Sequence, residues 1–196
     1  MPEQNLSKSD QSKEQIMSVA LDLFSKTGYH KTSTKNICDA AGISTGLLFY
    51  HFGSKEKLLK AIITMLLSRI EETLETDTGQ HPEMALEHII DAFFASLKEN
   101  SRYWDLYMSL LFQPDTKALI LEEVSTHTTR FRRTIYDLMQ RMGSKDPGGD
   151  SFEFEVFRVG TFASYLAGHN EKVWLQSKEK MKQKYLPGYP SRSTGN

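Results

Sequence analysis

Residues 42–55 read GISTGLLFYHFGSK. Small residues, two leucines and a run of rings from Phe49 to Phe52 precede Gly-Ser-Lys. The stretch is too short and glycine-rich for an ordinary amphipathic helix, and too loaded with rings for a plain loop. Its punctuation decides the reading. Gly42 tolerates positive φ and ends a helix. Ser44 caps the next one by accepting from its free backbone N–H groups. Upstream, Lys35 to Ala41 forms a short helix capped by Ser33 or Thr34 and burying Ile37, Cys38 and Ala41. Ala40 and Ala41 allow close helix packing, and Ile43 plugs a small core. Short helix, tight glycine turn, short helix is the pattern of a DNA-reading element.

The flanks extend it. Residues 13–27 place Ile16, Val19, Ala20, Leu23 and Phe24 on one helical stripe. Ser12 and Gln15 have capping-box spacing, and Gly28 supplies a stop. From Ser54 a long helix carries Leu58, Leu59, Ile62, Ile63, Leu66, Ile70 and Leu74 to about Glu75. A turn at 76–82 precedes a helix over 83–98 with Met84, Leu86, Ile89, Ile90, Phe93, Phe94 and Leu97. Asn100-Ser101 breaks it, Ser101 caps the next helix, and Pro114 ends that one. A long helix fits 115–142, a loop fits GSKDPGGD at 143–150, and two more helices fit 151–169 and 171–185. The tail LPGYPSRSTGN is expected to fray. No strand-like alternation and no internal repeat stands out. The expected fold is all-α: a three-helix N-terminal head at 1–53, joined by the long helix to a larger helical body at 54–196.

Composition is that of a soluble globular protein, with 39% hydrophobic and 25% charged residues. No apolar run is long enough to span a membrane, and the first residues lack the core of a secretory signal. One cysteine precludes an internal disulfide, and a cytoplasmic setting is expected. Cys38 reads as a small buried hydrophobe. The net charge of −1 is no global mark of nucleic-acid binding, but residues 1–60 alone balance to +2 and the rest to −3.

Catalytic constellations do not emerge. His81 and His88 lack the spacing of a zinc helix, no paired cysteines occur, and GSKE lacks the glycine spacing of a phosphate loop. No enzyme, metal or cofactor is expected.

The ordered run ALDLFSKTGYHKTSTKNICDAAGISTGLLFYHFGSKEKLLKAI, residues 20–62, closely resembles the head of TetR-family transcriptional regulators. It carries F-x-x-x-G-[FY], T-[ST], I-x-x-x-A-G-[IV]-S and G-x-[LI]-[YF]-x-[HY]-F-x-[ST]-K-E-x-L in order. The resemblance implies a regulator, a repressor in the family's commoner mode, binding a palindromic double-stranded operator as a homodimer and released by a small molecule. Carried over by position, Lys35, Ser44, Thr45, Gly46 and Tyr50 face DNA. Thr34, Tyr50, His51 and Lys55 position phosphate, Lys55 aided by the start of the long helix. Phe49 stands where the family commonly has a tyrosine whose hydroxyl touches phosphate. Phe49 and Phe52 are expected to fill the head's core and its seam with the long helix.

In the body, the resemblance implies an effector site and a dimer seam. Trp104, Tyr107, Met108 and Phe112 share roughly one face and suit an apolar or aromatic effector. Phe157, Gly160, Ala163, Ser164 and Ala167 mix small and large residues and suit the seam, since two heads are needed to read a palindrome. The alternative is a helical small-molecule-binding protein whose head no longer binds DNA.

Overall fold

The structure is a computed structural model that describes residues 7–75, 81–186 and 188–189, with side chains outside 69–75. Among the described residues the regular elements are all helices: α1 Lys8–Thr27, α2 Thr34–Ala41, α3 Thr45–Phe52, α4 Lys55–Glu75, α5 Pro82–Glu99, α6 Ser101–Leu111, α7 Pro114–Arg141, α8 Pro147–Leu166 and α9 Glu171–Tyr185. They form two compact units. One holds the chain up to Leu66 together with Arg102–Glu123; the other holds Leu67–Ser101 and the chain from Val124 on. By compactness, most of α6 and the start of α7 group with the chain up to Leu66.

In the first unit, α1 starts earlier than its spacing suggests. Ser7, not Ser12, is the cap, accepting from the Asp10 N–H at 3.2 Å. Ser12 Oγ instead donates to the Lys8 carbonyl at 2.9 Å, inside the helix. Gln15 reaches away to donate to the Ala41 carbonyl at 3.0 Å. Nothing in residues 8–12 breaks a helix, so the first cap available starts it. The buried stripe is Ile16, Met17, Ala20, Leu21 and Phe24; Val19 and Leu23 are half-buried at its edge. Gly28, at φ 89°, closes the helix by donating to the Phe24 carbonyl at 2.9 Å.

Ser33 caps α2 through a capping box with Asn36. Ile37, Cys38 and Ala41 are buried as the sequence predicts, whereas Ala40 is exposed and Ile43 half-buried. Gly42 is left-handed, at φ 65° and ψ 33°. Ser44 caps α3 by accepting from the Leu47 N–H at 3.2 Å. In α4, Ser54 accepts from the Lys57 N–H at 3.0 Å, and Leu58, Leu59, Ile62, Ile63 and Leu66 are buried. The Ile70 and Leu74 side chains lie outside the described residues. The start of α6 is tied to α1: the Arg102 guanidinium pairs with Asp22, and Ser25 Oγ donates to the Arg102 carbonyl at 3.3 Å. A buried Thr116 donates to the Leu110 carbonyl at 2.8 Å, fixing the corner where α7 begins at Pro114.

The second unit is held by α5 against α9. Leu86, Ile89, Ile90, Phe93, Phe94 and Leu97 are buried along α5, but Met84, expected in that stripe, is exposed. On α9, capped by Asn170, Trp174 donates its indole N–H to the Phe94 carbonyl at 2.8 Å and meets the Phe94 ring edge-on. Lys182, only 6% exposed, donates to Glu87 at 2.8 Å and Asp91 at 2.9 Å; Lys178 also pairs with Asp91, at 2.8 Å.

The segment expected as a loop at 143–150 is half helix. Pro147 takes the first turn of α8, where its missing N–H costs nothing, and Asp146 caps by accepting from the Gly149 N–H at 3.0 Å. A side chain on Gly149 would collide with that carboxylate, so this glycine is part of the cap. The turn expected at 76–82 lies outside the described residues save His81 and Pro82, as does the tail save Leu186, Gly188 and Tyr189.

Candidate nucleic-acid interface

On α3, Leu48 and Phe52 face inward. The other face is bare: Ser44, Thr45, Gly46, Phe49 and Tyr50 are exposed, Tyr50 by 80%. Thr45 and Gly46 lie one turn before Phe49 and Tyr50, so backbone, hydroxyl and rings present one surface. Phe49 corrects the expectation that it fills the core; it is 45% exposed, because only Leu48 and Phe52 of this turn point into the head. His51 is half-buried, with its ring edge-on to Tyr50 at 5.3 Å. Gly46 has only the Ser44 hydroxyl near its missing Cβ, at 3.8 Å, so its backbone is open to close approach. On α2, Lys35 is exposed and Thr34 half-buried, both in the first turn. The arrangement offers helix N-terminal N–H groups, a cation, hydroxyls and rings on two short helices joined by the Gly42 turn. Those are the groups that bind phosphate and base edges.

Lys55 is engaged within the head. Its ammonium donates to the Tyr29 carbonyl at 2.9 Å and the Thr32 carbonyl at 2.9 Å, and lies 4.3 Å from the centre of the Tyr29 ring. Burial pulls its pKa below the usual lysine value. The spacing that marked Lys55 as the start of a helix carried no sign of this engagement.

The four effector candidates all fall in the first unit. Trp104 is buried, edge-on to Tyr107 at 5.8 Å; Tyr107 and Met108 are half-buried; Phe112 is 77% exposed. Phe112 lies one residue past the end of α6, its N–H still donating to the Met108 carbonyl at 3.3 Å. Of the seam candidates on α8, Gly160, Ser164 and Ala167 are exposed, and Phe157 and Ala163 half-buried. Phe152, Val156 and Val159 lie exposed on the same helix, and Leu175 on α9. Their i, i+4, i+7 spacing is a helical stripe legible in the sequence. Phe157 also borders a groove of about 520 Å³ with Gln176, Lys180 and Lys184 of α9. No helix of the described residues is long and apolar enough to cross a membrane.

Comparison with known proteins bears on the head and on the whole length. The profile of bacterial regulatory proteins of the tetR family matches residues 16–62. The transcriptional activator FasR of Mycolicibacterium smegmatis is 26% identical over 174 residues, 86% of this chain and 74% of FasR. The transcriptional regulator UidR of Escherichia coli is 28% identical over 131 residues, 64% of this chain; the match spans just under two thirds of UidR, 65%. A crystal structure of a transcriptional regulator from Aquifex aeolicus, 22% identical, has the same fold, with a TM-score of 0.72 over 88% of this chain and 96% of that one. Motif, profile and relatives converge on the helices that present the bare face of α3: the chain carries the head of the TetR family of transcriptional regulators, with α1 to α3 and the start of α4 forming its DNA-binding helix-turn-helix.

Proposed function

We propose that the chain is a ligand-responsive repressor that binds a palindromic operator as a homodimer and is released by a small molecule. The observation that carries the reading is the bare face of α3, where Thr45, Gly46 and Tyr50 stand exposed, with Lys35 exposed in the first turn of α2. Thr45 reads a base edge and offers its methyl to thymine. Gly46 lets the backbone approach. Lys35, Thr34, Ser44, Tyr50 and His51 position the head on phosphate. The seam is the exposed stripe of α8, Phe152, Val156, Val159 and Gly160, extended by Ala163, Ser164 and Ala167 and flanked by Leu175 of α9. A self-complementary helical face gives the two-fold symmetry that a palindrome needs. The effector is apolar or aromatic, and Trp104, Tyr107 and Met108 on α6 contact it. Release requires that the effector favour one of two arrangements of the heads.

The test is binding of the purified protein to its own upstream intergenic DNA across a salt series. Specific binding weakens with salt, with a slope of about 0.9 for each phosphate neutralised. Binding no tighter than to random DNA would overturn the reading. A reporter on the same fragment sets the sign. FasR is an activator, so reporter output that rises with the protein would replace repression with activation and leave DNA recognition standing.

A further inference from the structure

We infer that Lys55 is a positioning residue: its ammonium locks the first turn of α4 onto the turn between α1 and α2, sets the N-terminus of α2 for DNA, and does not itself bind phosphate. This rests on the DNA-binding reading above. An ammonium has three donors. Two are taken by the Tyr29 and Thr32 carbonyls at 2.9 Å each, and the Tyr29 ring covers the group at 4.3 Å. Moving it to a phosphate would strip both carbonyls of this donor, a loss that opposes the gain.

The lock acts on one peptide group. The Thr32 carbonyl accepts from Lys55, while the N–H of the same peptide, on Ser33, donates to Asn36 Oδ1 at 2.9 Å. The plane that leads into α2 is therefore gripped on both sides. Thr32 is itself buried, and its hydroxyl donates back to the Gly28 carbonyl at 2.9 Å. Tyr29 is tilted against Phe24 of α1 at 5.3 Å. Ser33 caps α2, and the DNA-facing Thr34 and Lys35 follow at once. Lys55 is the first residue of α4, so displacement of that helix start acts directly on the residues that seat α2.

Lys55→Met, Lys55→Gln and Lys35→Met are compared with the wild type on the upstream fragment over a salt series, with circular dichroism as a folding check. Lys55→Met is expected to weaken binding about tenfold or more at every salt concentration, with the salt slope unchanged. Lys55→Gln keeps a neutral donor and recovers part of the loss at the same slope. Lys35→Met lowers the slope by about 0.9. Hydrogen exchange in the free protein tests the lock without DNA. Lys55→Met speeds exchange at the Asn36 and Ile37 amides about tenfold, as expected when one strong hydrogen bond is lost, and leaves the middle of α1 unchanged. A slope lowered by one phosphate in both Lys55 variants, with unchanged exchange, would make Lys55 a phosphate ligand and overturn the inference. Failure of the wild type to bind specifically would instead sink the DNA-binding reading, and the exchange experiment would still decide the lock.

Discussion

Gly46 stands on the outer face of α3, with nothing nearer its missing Cβ than the Ser44 hydroxyl at 3.8 Å. An alanine there meets no clash in the free protein and improves helix propensity by up to about 0.5–1 kcal/mol. Gly46→Ala is therefore expected to raise the unfolding midpoint slightly while weakening operator binding. Overpacking at a tight contact costs about 1–3 kcal/mol, so the loss should be about tenfold or more. Paired urea melts and binding isotherms check it; equal binding would mean that no DNA atom approaches the Gly46 backbone. Gly42 is the opposite case. It also has open space around it, yet its φ is 65°. Gly42→Ala should cost about 1 kcal/mol of stability through backbone strain alone, and Gly42→Asn less, read from urea midpoints. Two glycines four residues apart thus answer to different pressures, one to DNA approach and one to backbone conformation.

Among elements, the helices were legible wherever caps and apolar spacing agreed. Gly42 and Ser44 marked the end of α2 and the start of α3 to the residue because each solves a local hydrogen-bonding need, whereas α2 starts at Thr34, one residue before the expected Lys35. Where only spacing spoke, errors followed. Ser12 had the right partner distance but sits inside α1, since Ser7 caps first. Met84 fits the α5 stripe but lies in its first turn, where little packs over it. The Gly-Gly pair after Pro147 looked like a loop and is the tight first turn of α8. Of the DNA-facing candidates, the exposed ones could be read from helical spacing. The inward turn of Lys55 could not, because it depends on carbonyls more than twenty residues away in the chain. Two predictions concern α8. Asp146→Ala removes its cap and should cost about 1 kcal/mol in thermal or urea unfolding. Val156→Asp, on the exposed stripe, should leave helix content intact and convert the dimer to monomers in sedimentation equilibrium. A variant that stays dimeric would move the seam elsewhere, and a wild type that sediments as a monomer would overturn the proposed homodimer.

Over the whole molecule, both units combine charge with apolar packing, and in the second the charge gathers where α9 meets α5. Burial raises the pKa of Asp91, but hydrogen bonds and charge from Lys178 and Lys182 outweigh it, so the net shift is downward. Burial lowers that of Lys182, but hydrogen bonds and charge from Asp91 and Glu87 outweigh it, so the net shift is upward. The Asp91 contribution is present above the ordinary carboxylate range and is lost as pH falls through its lowered pKa. The Lys182 contribution is present below the ordinary lysine pKa and is lost as pH rises through its raised value. Asp91→Asn should therefore flatten the acid side of the stability profile for α5 and α9. Lys182→Met should cost roughly 1–3 kcal/mol at neutral pH, measured by urea unfolding. The chain has two tryptophans, and each unit holds one: Trp104 sealed within the first, Trp174 in the second with its indole bonded to α5 and Lys98 4.3 Å from the ring centre. The molecule therefore comes with a separate optical reporter for each half. Trp104→Phe and Trp174→Phe variants, followed by emission wavelength, show which half an added compound perturbs and whether the halves melt at one temperature or at two.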